Sequence, residues 1–243
     1  MGWAYSVARI RALETRLVDK SKVTRILEAD TLEDAIKVLQ ETEYSAYMSS
    51  LHSAEGREEA FSHELARVYR TVGDMVPEDW PVYLLRARYD YHNLKVALKA
   101  SLTGQEAVPA AFSRLGRVAP EAISEAVKSN SLSDLPTDLR TAAITARAAY
   151  EEAGRLSALD GAVDRGMFSY LIDHTPLPGG KFLRGYFARL ADIVNIRATV
   201  RARAMGLGPG QLGSMLVPGG YIDRDRFVAA YSGPEEGLAD AFQ

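Results

Sequence analysis

Apolar side chains recur every three to four positions along most of the chain, and polar and charged residues fill the positions between. Val7, Ile10, Leu13 and Leu17 fall on one face between Arg9, Arg11, Glu14 and Arg16, which predicts an amphipathic helix from Val7 to Leu17. A short second helix carries Val23, Ile26 and Leu27. A third opens at Thr31, whose hydroxyl is placed to cap it with Asp34 at the capping-box position, and continues through Leu32, Ala35, Ile36 and Leu39. A longer helix is expected from Glu58 to Met75 on Phe61, Leu65, Val68, Val72 and Met75, broken by Pro77 and Pro81. Leu84, Ala87, Tyr91, Leu94 and Leu98 then define a helix from Pro81 to Leu102, and Gly104 supplies the left-handed residue that ends it. Further helices are expected over Thr137–Arg155 and Asp160–His174. After the Thr175–Gly180 turn another runs from Lys181 to Gly206, and Gly and Pro then cluster in GLGPGQLG and VPGG. Strand-type alternation never persists, so the fold class is all-α.

One helical pattern occurs twice without a gap. Asp90 to Gly104 and Asp192 to Gly206 share D-x-x-N-[LI]-[KR]-x-x-[LV]-[KR]-A-x-x-x-G, an agreement in side-chain kind that helix composition alone does not produce. A weaker copy begins at Ser6, pairing Ile10 with Leu94 and Arg11 with Lys95, with Lys20 where the glycine would stand. The apolar residues after each copy also recur: Val23, Leu27, Leu32 and Leu39; Ile123, Val127, Leu132 and Leu139; Phe227, Tyr231, Leu238 and Phe242. The expected organisation is a helical repeat unit over 1–88, a second over 89–190 and a partial third over 191–243. Such units bury apolar faces against their neighbours, which suggests helical bundle lobes around a central opening or groove.

Composition narrows the function classes. Hydrophobic residues make up 47% and charged residues 25%, ordinary for a folded chain. The 29 Lys and Arg against 32 Asp and Glu give a net charge of −3, so a generally basic nucleic-acid binder is not indicated. The chain has no cysteine, which removes disulfides, thiol nucleophiles and thiolate metal ligands and suits a reducing, cytoplasmic location. No apolar run approaches the roughly 18 residues needed to cross a bilayer. Met1-Gly2-Trp3-Ala4-Tyr5-Ser6 formally fits a myristoylation pattern, but the pattern is too short to predict lipidation.

The segments AYSVARIRALETRLVDK, YDYHNLKVALKA and ADIVNIRATVRA resemble the repeated segments of the C subunit of archaeal and bacterial V/A-type ATPases, the counterpart of the d subunit in the eukaryotic vacuolar enzyme. The likeness covers the first two units and the start of the third. It implies three pseudo-threefold helical lobes forming a funnel, whose mouth receives the rotating central shaft and whose base rests on the membrane proteolipid ring. It further implies a non-catalytic spacer with no cofactor, peripheral to the membrane through its complex, serving proton or sodium transport. Because most of the final unit is absent, the third lobe is expected to be incomplete. The alternative is a general helical-repeat adaptor for other protein partners.

Candidate chemistry is sparse. Lys95 and Lys99 flank the apolar stripe of their helix, and Arg197 and Arg201 reproduce that flank in the next copy. The functional reading is contact with acidic groups on the shaft or ring; the plainer reading is a solvated face with ordinary ion pairs. Asn93 and Asn195 are poor helix formers, so each amide is expected to bond an adjoining element, and Gly104 and Gly206 are expected to stop helices. Asp90 and Asp192 complete the set of repeat positions. LPGGKF is not a phosphate loop, because Thr175 and Phe182 replace the required glycine and hydroxyl and no strand precedes it. His52, His63, His92 and His174 lack metal-ligand spacing. Asp160 and Asp164 share a face and read as solvated carboxylates rather than an acid–base pair. Tyr83, Tyr89 and Tyr91 beside Arg86, Arg88 and Lys95 imitate a nucleic-acid surface, but helical spacing sends several to the core. Finally, the stripe of Ile196 and Val200 and the later Phe227, Tyr231 and Phe242 are expected to remain partly exposed or to repack.

Overall fold

The structure is a computed structural model and describes residues 2–45 and 54–233. Eleven α-helices and no strand occur among the described residues: α1 Trp3–Glu14, α2 Lys20–Leu27, α3 Leu32–Gln40, α4 Ala54–Gly73, α5 Trp80–Thr103, α6 Pro120–Lys128, α7 Thr137–Ala153, α8 Leu156–Asp173, α9 Lys181–Ala204, α10 Pro209–Met215 and α11 Arg224–Ser232. The all-α reading therefore holds. Contacts divide the chain into two compact units, Met1–Val82 and Tyr83–Gln243.

In the first unit, capping sets the helix starts. Asp19 accepts from the Lys22 backbone N–H at 2.8 Å and opens α2; Thr31 accepts from the Asp34 N–H at 3.2 Å and opens α3. The Asp34 carboxylate turns to the Thr31 hydroxyl, 2.7 Å away, rather than closing a reciprocal box on the backbone. The first helix begins earlier than the apolar spacing predicts and ends at Glu14, leaving Leu17 exposed beyond it. Ser6 is buried and donates to the Met75 carbonyl at 2.5 Å. A small core joins Ile36 and Ala60, with Leu39 and Tyr44 against it. Around it lie surface ion pairs such as Arg16–Glu43 and Arg25–Glu41, both 2.7 Å, of the kind that contributes little to stability.

The second unit contains the main core. Tyr91, Leu94 and Leu98 of α5 pack with Ile123 and Val127 of α6, Leu139, Ala142 and Ala146 of α7, and Leu159 and Val163 of α8. Each large side chain removed from water there contributes about 1.5–3 kcal/mol. The alanine-rich face of α7 permits close approach of α8, where a Cβ at Gly166 would stand 3.3 Å from that of Ala142. Gly154, with φ of 65°, turns the chain between them. Helix α9 packs on α8 through Phe168 and Ala191, and Ala202 meets Leu212, Leu216 and Phe227.

One feature of the tail departs from the sequence expectation and another follows it. The Gly- and Pro-rich segment after Gly206 contains α10, started by Pro209 in the first turn and by the Gln211 side chain accepting from the Gly208 N–H at 2.9 Å. Phe227 of α11 is fully buried against Ala202 of α9, Leu212 of α10 and Leu216, so this part of the tail is repacked, while Tyr231 is half-buried and its hydroxyl donates to the Leu207 carbonyl. Leu238 and Phe242 lie outside the described residues.

Candidate functional site

The matched positions of α5 and α9 make matched contacts. Asn93 donates through Nδ2 to the Ser113 carbonyl and accepts at Oδ1 from the Ser113 N–H, both at 2.8 Å. Asn195 holds Val217 in the same two-pronged way, at 2.9 and 2.8 Å. Asp90 accepts from the Arg117 and Val118 backbone N–H groups; Asp192 accepts from those of Tyr221 and Ile222. All four side chains are buried, so each would be costly without its partners. The helices stop alike. Gly104 and Gly206 have φ of 67° and 63°, and the following N–H groups return to Ala100 and Ala202 at 3.2 and 3.0 Å. A Cβ at Gly116 would collide with the Asp90 carboxylate, as one at Gly220 would with that of Asp192. The recurring Gly-x-[Val/Ile] of Gly116–Val118 and Gly220–Ile222 is the sequence signal for these latches.

Beyond the backbone latch, the two copies diverge. Arg117 is nearly fully buried and joins Asp90 through Nε, Asp138 through Nη2 at 2.8 Å and the Tyr170 hydroxyl through Nη1 at 2.7 Å. Its guanidinium carbon lies 4.7 Å from the Tyr83 ring centroid and 4.9 Å from that of Tyr170. Burial works against the Arg117 charge, but hydrogen bonds to Asp90 and Asp138 outweigh it and raise its pKa above the ordinary value. Burial pushes the Asp90 carboxyl upward, while Arg117 and the two backbone N–H groups pull it back. Burial, reinforced by the Asp138 charge, also raises the Tyr91 phenol. Tyr221 stands where Arg117 does, and Asp192 keeps only its backbone donors among the described hydrogen bonds. Arg117, Asp138 and Tyr170 carry no periodic signal, and sequence reasoning does not reach them.

Three of the basic positions meet a cleft of about 620 Å³ bounded by α8, α9 and α10 and lined by Lys95, Arg155, Asp160, Asp164, Arg197 and Arg201. Lys95 Nζ lies 2.8 Å from Asp164 Oδ1, and Lys99 Nζ 2.8 Å from Asp160 Oδ1. Asp160 and Asp164 are thus half-buried ion-pair partners rather than solvated carboxylates. The Lys99–Asp160 contact lacks hydrogen-bond alignment, so its attraction is that of two charges. Arg197 and Arg201 are exposed and make no ion pair among the described residues. Lining residues give four cations, Lys95, Arg155, Arg197 and Arg201, against two anions, a local excess of positive charge on an acidic chain.

Other candidates resolve structurally. Arg86 is committed to the Leu115 and Gly116 carbonyls at 2.9 and 2.5 Å, and Tyr91 is fully buried. His92 bonds the Ala111 carbonyl at 2.8 Å and His174 stacks on Tyr170 with centroids 4.1 Å apart. His52 lies outside the described residues. Among the described residues no group of three or more His, Asp and Glu is placed to hold a metal ion, and no helix is long and apolar enough to cross a membrane.

Comparison with known proteins agrees with the resemblance in the repeated segments. The family described as ATP synthase (C/AC39) subunit matches residues 6–243. The chain is 28% identical over 237 residues to the C subunit of the A-type ATP synthase of Methanothermobacter thermautotrophicus, covering 92% of this chain and 60% of that protein. It is 24% identical to the C subunit of the V-type sodium ATPase of Enterococcus hirae, over 92% of this chain and 68% of that one. The C subunit of the V-type ATP synthase of Deinococcus radiodurans is 25% identical, over 98% and 70% respectively. The chain therefore spans roughly three-fifths to seven-tenths of the length of these relatives. With its repeated helices and this match along nearly its whole length, the chain belongs to the ATP synthase (C/AC39) subunit family.

Proposed function

We propose that the chain is a non-catalytic central-stalk subunit of a V/A-type rotary ATPase, a spacer that couples the central shaft to the membrane proteolipid ring during proton or sodium transport. In this reading it is cytoplasmic and peripheral to the membrane through its complex. Its repeat units over 1–88, 89–190 and the partial 191–243 form lobes of a pseudo-threefold funnel, and no bond is made or broken in it. The observation that carries the reading is the repeated helix with its latches: α5 and α9 are fixed by side chains gripping backbone, which suits a part that works by shape and stiffness. Of the four basic positions, Arg197 and Arg201 are the ones left for a partner, since Asp164 and Asp160 hold Lys95 and Lys99.

The test is association with shaft and ring subunits. The unchanged chain is expected to co-purify with both, and replacing Arg197 and Arg201 by Glu is expected to weaken that association without unfolding the chain. The loss should shrink as salt rises, because exposed charges are screened over about 8–10 Å near physiological ionic strength. Failure of the unchanged chain to capture either kind of subunit would overturn the reading.

A further inference from the structure

No further inference is drawn: the strongest candidate, the open face of α9 where Arg197 and Arg201 border the cleft beside the exposed Ile193 and Val200, carries none, because nothing in the structure shows what covers it and the matching face of α5 is covered by the chain's own α7 and α8.

Discussion

Helices α5 and α9 begin from the same pattern and meet different fates. Leu84, Ala87, Tyr91, Leu94 and Leu98 are each at most 2% exposed, whereas the α9 counterparts Tyr186, Ile193 and Val200 are 41%, 53% and 49% exposed. Both helices grip the chain beyond them with an Asn and an Asp, and both stop at a left-handed glycine. The difference lies in the cover: α7 and α8 lie on α5, and among the described residues no matching pair lies on α9. A repeated helix therefore carries two separable instructions. Its latch fixes the local path of the chain, and its stripe specifies a neighbour that the latch does not provide.

The sharpest break in the symmetry is Arg117. Arg117→Ala leaves Asp90 and Asp138 as buried charges without their cation and is expected to cost about 3–5 kcal/mol, measured by urea denaturation. Tyr221→Ala, at the matching place, removes no ion pair and is expected to cost far less. A similar loss from both would show that the Arg117 network adds nothing to the backbone latch.

Next come the stripes. Leu98→Ala is expected to destabilise the chain by about 2–5 kcal/mol, and Val200→Ala by less than about 0.5 kcal/mol, since one leaves a cavity and the other trims a wet side chain. Comparable costs would mean that α9 is covered in solution.

The smallest contrast belongs to the latches, where the prediction is equality. Asn93→Ala and Asn195→Ala each strand a backbone N–H and carbonyl, at about 1–3 kcal/mol for the buried groups, and the two costs should agree within about 1 kcal/mol. A latch that matters in only one copy would separate the two helices where their contacts coincide.

Much of this was legible in the sequence because it is local. The Thr31 cap, the glycine stops, the stripe on α5 and the need for a partner at Asn93 and Asn195 all follow from spacing and propensity. The ion pairs of Lys95 and Lys99 were half visible, since Asp160 and Asp164 share the same four-residue spacing with opposite charge. Arg117 was not, because Asp90, Asp138 and Tyr170 lie 27, 21 and 53 residues away and meet it only through packing. Helix α10 escaped because glycine-rich composition reads as loop until Pro209 and Gln211 are seen as a start signal. In the first unit the spacing overstates burial. Val23 and Leu27 match the buried Ile123 and Val127 in position but are exposed, and periodicity cannot report how many neighbours a stripe will find.

The glycine facing each aspartate makes the latch a reader of main chain alone. Asp90 and Asp192 take hold of N–H groups, which every residue but proline presents, and ask only that the preceding position be empty of a Cβ. The residue next to the glycine is then free to be an arginine in one copy and a tyrosine in the other. The segment around Gly116 and the segment around Gly220 are in this sense exchangeable parts. A duplicated ancestor with such joints could alter the exterior of each copy independently, while the hinge between helix and loop kept its setting.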